Sequence, residues 1–209
     1  YGKQSISETD IAKVCEVLRS DWLTQGPTVG IFENAVTEKC NAQYAVAVNS
    51  ATSALHIACL ALGVGPGDTV WTSPNTFVAS TNCARYCGAS VDFVDIDPVT
   101  YTVDTNLALE KVKYHQSKGR SVKAIIGVDY AGHPCDWKAL RFLANKYNVK
   151  LINDNCHALG AKYENHSDYA LKYADYVVQS FHPVKNITTG EGGALLTNDF
   201  KINKKFKTL

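Results

Sequence analysis

Strand-like and helix-like segments alternate along this chain from residue 44 onward, and that alternation restricts the fold more than any other feature. Short β-branched or aromatic runs predict strands at Tyr44 to Val48, Thr69 to Thr72, Val91 to Val94, Val122 to Val128, Val149 to Asn153, Ala174 to Ser180 and Gly193 to Thr197. Apolar residues at helical spacing predict a helix carrying Leu55, Ala58, Cys59 and Leu62, then helices at Phe77 to Tyr86, Thr105 to Gln116 and Asp136 to Lys146. Two more precede the first strand. One is capped by Ser7 and carries Ile11, Val14, Cys15 and Leu18, and the other carries Val29, Phe32, Val36 and Cys40. Elements in this order imply an α/β fold, a mostly parallel seven-stranded sheet flanked by helices on both faces. A chain of 209 residues can bury one sizeable core, and no linker or internal repeat divides it.

Ligands of such sheets sit beyond the carboxyl ends of the strands. After the first strand come Asn49, Ser50 and Thr52, after the second Asn75, Thr76 and Phe77, and after the third Asp95 and Asp97. Asp129 and Tyr130 follow the fourth, Asp154 and His157 the fifth, and Ser180, His182 and Lys185 the sixth. Lys185 belongs to Ser180-Phe-His-Pro-Val-Lys-Asn-Ile-Thr-Thr-Gly-Glu-Gly-Gly-Ala194, where Gly190, Gly192 and Gly193 let backbone approach a ligand closely. An amine held there can serve as a nucleophile that forms a Schiff base with a carbonyl. It can equally be a solvated loop lysine.

Each of the other rim residues carries a plain reading beside the chemical one. Ser50-Ala-Thr52 opens a helix straight after a strand, so its free N–H groups suit a phosphate, although it also reads as an ordinary N-cap. Asp154 follows a buried strand, where an unpaired carboxylate is costly; it needs a cation or strong donor, or it caps a following helix. Phe77 suits stacking on a flat ring or burial in the core, His157 is structural or catalytic, and the charges of Asp129-Tyr-Ala-Gly-His-Pro134 read as solvated. Together, a phosphate seat, a ring platform, a carboxylate and an amine are the needs of pyridoxal phosphate (PLP). A Gly-x-Gly-x-x-Gly pattern is missing after the first strand, which argues against a dehydrogenase.

Composition narrows the remaining classes. With 21 basic and 20 acidic side chains, the charge of +1 gives no electrostatic case for nucleic acid or a membrane surface as partner. No apolar run approaches the ~18 residues of a membrane span, and Tyr1 to Ser7 lacks the apolar core of a signal peptide, so the expected location is the cytoplasm. The seven scattered cysteines suit reduced thiols, and Cys83 with Cys87 finds no further ligand nearby, so no metal is expected. The chain contains no Met, and Asp199 to Leu209 reads as a helix at its end; a piece of a longer protein is expected.

Tyr1-Gly-Lys-Gln-Ser-Ile-Ser, Asp21-Trp-Leu-Thr-Gln-Gly-Pro27, Ser50-Ala-Thr52, Thr76-Phe-Val78, Asp129 to Pro134, Asp154-Asn-Cys-His157 and Ser180 to Gly193 resemble the DegT/DnrJ/EryC1/StrS sugar aminotransferases along the whole chain. Within the family the resemblance is to members of the pseudaminic-acid pathway that aminate C4 of a UDP-linked 4-keto-6-deoxy-N-acetylhexosamine. It implies the large cofactor domain of the type I aminotransferase fold, residues 1–209, followed by a smaller C-terminal domain, in a homodimer with a shared active site. It also implies Lys185 as the Schiff-base lysine, Asp154 at the pyridine nitrogen, Phe77 on the ring, His157 near the ring hydroxyl, and Ala51, Thr52 and Ser180 at the phosphate. Glutamate is the implied amino donor. Amination of a TDP-sugar at C3 or C4, and a non-catalytic binding or dimerisation module, are the alternatives. Related dehydratases carry histidine in place of the lysine, so Lys185 points to transamination.

Overall fold

Ser7 Oγ accepts the Asp10 N–H at 3.2 Å while Asp10 Oδ2 accepts the Ser7 N–H at 2.7 Å, a reciprocal cap that starts helix α1 (Glu8–Leu18). The computed structural model describes residues 3–209, so Tyr1 and Gly2 of the first quoted motif lie outside the described residues. The apolar stripe of α1 is exposed, with Val14 at 60% and Leu18 at 65%, and the helix buries none of its residues. Amphipathic spacing therefore marked an apolar face correctly but not what covers it. Helix α2 (Pro27–Cys40) begins with Pro at its first turn and ends on Asn41 in the left-handed conformation.

Strand β1 (Tyr44–Val48), helix α3 (Ala51–Ala61), β2 (Thr69–Thr72), α4 (Ala79–Tyr86), β3 (Ser90–Phe93) and α5 (Thr105–Ser117) follow. Then come β4 (Ala124–Val128), α6 (Trp137–Tyr147), β5 (Lys150–Asp154), the short α7 (Tyr169–Tyr173), β6 (Tyr176–Ser180), β7 (Gly193–Thr197) and α8 (Phe200–Thr208). The predicted helix over Phe77 starts two residues later, leaving Phe77 ahead of it, and α7 was not foreseen from the sequence.

The seven strands form one sheet in the order β1-β7-β6-β5-β4-β2-β3. β7 runs antiparallel to both its neighbours, and the remaining six share one direction. Alternate residues of the strands feed two cores. Trp71, Ile125, Leu151, Val177 and Leu196 pack under α2, α5, α6 and α7, while Val70, Ile126, Ile152, Val178 and Leu195 pack under α3, α4 and α8. A sheet covered on both faces offers ligands its strand ends, and here six of the ends lie on one rim.

Candidate active site

The register of β7 places its first residue between two other strand ends. Gly193 pairs with Val48 of β1 on one side and with Ser180 of β6 on the other. A Cβ on Gly193 would lie 2.5 Å from Ser50 C, 2.6 Å from Ala51 N and 2.7 Å from Ser50 O, so the backbone at residue 193 lies directly against the start of α3. This contact brings Ser180 to the N-terminus of α3, a juxtaposition that separation along the chain hides.

Ser50 caps α3 by accepting the Ser53 N–H at 3.2 Å. The N–H groups of Ala51 and Thr52 and the Thr52 hydroxyl have no partner among the described residues, and Ser180 Oγ only accepts, from His182 N–H at 3.4 Å. Two free amides and two free hydroxyls thus lie at or beside the positive end of a helix, a seat that suits a phosphate. Replacing Gly193 by alanine is expected to drive α3 away from β7, costing roughly 1–3 kcal/mol of stability as overpacking does. It should also weaken PLP binding, read by thermal melting and by titration with the cofactor. Unchanged binding would show that this seat is not used.

Lys185 lies partly buried in the loop between β6 and β7. Phe181 closes that loop, donating its N–H to Gly192 O at 2.9 Å and accepting from Thr189 N–H at 3.0 Å. The Lys185 N–H turns back to His182 O at 2.9 Å, and Gly190 supplies the left-handed residue with φ +79°. Beside the loop opens a cleft of about 360 Å³ bordered by Trp22, Gly26, Phe32, Phe181, Glu191 and Gly193, so the Asp21–Pro27 motif lies against the glycine-rich end of that loop.

Asp154, 6% exposed at the end of β5, accepts from Ser80 Oγ at 2.7 Å and from Cys156 N–H at 3.3 Å. It caps no helix, because the chain after it runs in turns, and no cation pairs with it among the described residues. Its strong donor is Ser80, which was not foreseen because a serine early in a helix reads as a polar face. His157 is half-buried. Its Nδ1 accepts the Ala131 N–H at 3.2 Å, which leaves the Nε2 hydrogen of the neutral ring free to donate. Burial and then the positive charge of Lys185 push His157 below its usual range, with Asp154 opposing. The fields of both Lys185 and Asp154 thus reach this ring. Phe77 is 68% exposed at the same rim, a ring presented to the outside rather than to the core.

Not every rim residue joins the site. Asp97 accepts the N–H groups of Val99 and Thr100 in a local turn, and Asn75 reaches Tyr101 O. Asp129, expected to be solvated, is fully buried. Its Oδ1 accepts from Cys135 N–H and Trp137 Nε1, both at 2.9 Å; its Oδ2 accepts from Asn153 at 3.1 Å, Asn155 at 2.8 Å and Tyr169 at 2.7 Å. Burial pushes this carboxyl up, and the donors of Cys135, Tyr169, Trp137 and Asn155 pull it back. All seven cysteines are free thiols, and no helix among the described residues is long and apolar enough to cross a membrane.

A mostly parallel sheet in this order, covered by helices on both faces, is the fold of the type I PLP-dependent aminotransferases. Within that class, the chain belongs to the DegT/DnrJ/EryC1/StrS aminotransferase family, whose model matches residues 4–209. It is 40% identical over 210 residues to the UDP-4-amino-4,6-dideoxy-N-acetyl-beta-L-altrosamine transaminase of Campylobacter jejuni, covering 100% of this chain and 54% of that protein. Spr1654 of Streptococcus pneumoniae in its PLP form superposes with a TM-score of 0.88 at 30% identity, covering 99% of this chain and 56% of that one. Helicobacter pylori PseC, an aminotransferase involved in the biosynthesis of pseudoaminic acid, gives 0.87 at 35% identity, covering 99% and 54%. The chain spans about half the length of the curated relatives it matches.

Proposed function

We propose that this protein is a PLP-dependent aminotransferase of nucleotide-linked keto-sugars, and that residues 1–209 form its large cofactor domain. The observation that carries the reading is the approach of Gly193 to the Ser50–Ala51 peptide, which sets the end of β6 that carries Ser180 beside the start of α3. In this reading Ala51, Thr52 and Ser180 hold the phosphate, Phe77 covers the ring face, Asp154 meets the ring nitrogen and the His157 Nε2–H meets the ring hydroxyl. When bound, PLP supplies an electron sink for the bonds at the substrate's amine-bearing carbon. Lys185 Nζ would hold the cofactor's aldehyde, and its free amine would serve as the base that carries a proton.

The substrate assignment, C4 of a UDP-linked 4-keto-6-deoxy-N-acetylhexosamine, draws on the names of the Campylobacter and Helicobacter relatives; glutamate as donor is part of the same proposal and rests on the family resemblance alone. A smaller C-terminal domain and a second subunit complete the site in this reading, and the enzyme works in the cytoplasm. The test is to give the full-length protein PLP, glutamate and either a UDP- or a TDP-linked keto-sugar and to identify the products by mass spectrometry. The expected products are the UDP-linked 4-amino sugar and 2-oxoglutarate. Preference for the TDP-sugar would overturn the substrate, absence of 2-oxoglutarate would overturn the donor, and no amino sugar from either would favour a binding module.

A further inference from the structure

The hydroxyl of Ser80 is buried, with the residue 1% exposed, and makes two contacts that the proposed chemistry leaves without a purpose. It lies 2.7 Å from Asp154 Oδ2 and 2.9 Å from Thr76 Oγ1. A carboxylate can only accept, so the single Ser80 proton goes to Asp154, and the Ser80 oxygen then accepts from Thr76. The backbone of the same residue donates to Phe77 O at 3.1 Å. One side chain in the first turn of α4 therefore ties the carboxylate at the end of β5 to the segment that presents Phe77 after β2.

We infer that Ser80 is a positioning residue of this site: through the chain Thr76 to Ser80 to Asp154 it fixes the carboxylate and the Phe77 platform relative to each other. The inference rests on the aminotransferase reading above. A hydrogen bond from a neutral hydroxyl to a charged, poorly solvated carboxylate is among the stronger ones available to a protein, and its loss lets the carboxylate rotate towards other donors. A ring held between Phe77 and Asp154 then meets either of them less well.

The test uses full-length protein with Ser80→Ala and Ser80→Thr. PLP affinity is read by titration of cofactor fluorescence, and the pH midpoint of the bound cofactor's absorbance reads proton binding at its linkage to lysine, which the charge held on the ring by Asp154 shifts. Ser80→Ala should bind PLP about 10-fold more weakly, the loss of one hydrogen bond to a charged group, and should displace the midpoint. Ser80→Thr, which keeps the hydroxyl, should restore both. In an Asp154→Ala background the Ser80→Ala change should alter affinity by less than about 2-fold, because the partner is already gone. Wild-type affinity and midpoint in Ser80→Ala overturn the proposal alone, as does an undiminished loss in the Asp154→Ala background. Wild-type protein that takes up no PLP overturns the aminotransferase reading and this proposal with it.

Discussion

Lys185→Ala is expected to lower kcat by about 10⁴-fold or more, the order of loss seen when a covalent nucleophile is removed from an enzyme. The bonds that shape the loop are Phe181 to Gly192, Thr189 to Phe181 and the Lys185 N–H to His182, and none of them uses the Lys185 side chain. The variant should therefore fold, with stability within about 0.5 kcal/mol of the parent, as for substitutions away from buried contacts. It should still hold PLP through the seat at Ala51, Thr52 and Ser180, without the covalent link. Steady-state rates with the keto-sugar and a thermal melt separate the two effects. Ordinary turnover in this variant would remove Lys185 from the chemistry.

The second large effect falls on stability. Asp129→Ala should cost roughly 3–5 kcal/mol, the range for breaking a buried charged network by removing one partner. It would take the shared acceptor from the donors of Cys135, Trp137, Asn153, Asn155 and Tyr169 at once, leaving those donors only the Asn155 to Tyr169 hydrogen bond of 2.9 Å. At 2–4 °C per kcal/mol for a chain of this size, the melting temperature should fall by about 10 °C. Because Asn153 and Asn155 flank Asp154, PLP affinity should fall as well, in whatever fraction remains folded. A melt within about 2 °C of the parent would mean that the five donors find other partners.

Most of the scaffold was legible because each buried strand spells itself locally. Ala124 to Val128 and Tyr176 to Ser180 are continuous buried runs, as strands of a sheet covered on both faces must be. The rim followed from those strand ends, and Ala51, Thr52, Asp154, Ser180 and Lys185 all come from positions adjoining them. What stayed hidden depends on contacts distant in sequence. Asp129 looked like a turn residue because its partners lie up to 40 positions away, at Tyr169. Ser80 gave no signal since its partner is 74 residues on. Gly193 was legible as a turn glycine, but its role as the wedge between β1, β6 and α3 needs the register of an antiparallel strand inserted among parallel ones. The stripe of α1 shows the opposite limit, where a clear local pattern specifies a helix without specifying its cover.

The most direct test of the central claim is to incubate the full-length protein with PLP, reduce it with borohydride, and locate the cofactor by peptide mass spectrometry. The account predicts a stable adduct on the peptide carrying Lys185, absent from Lys185→Ala and diminished by Gly193→Ala. An adduct on a different lysine, or none at all in protein that is folded, would contradict it.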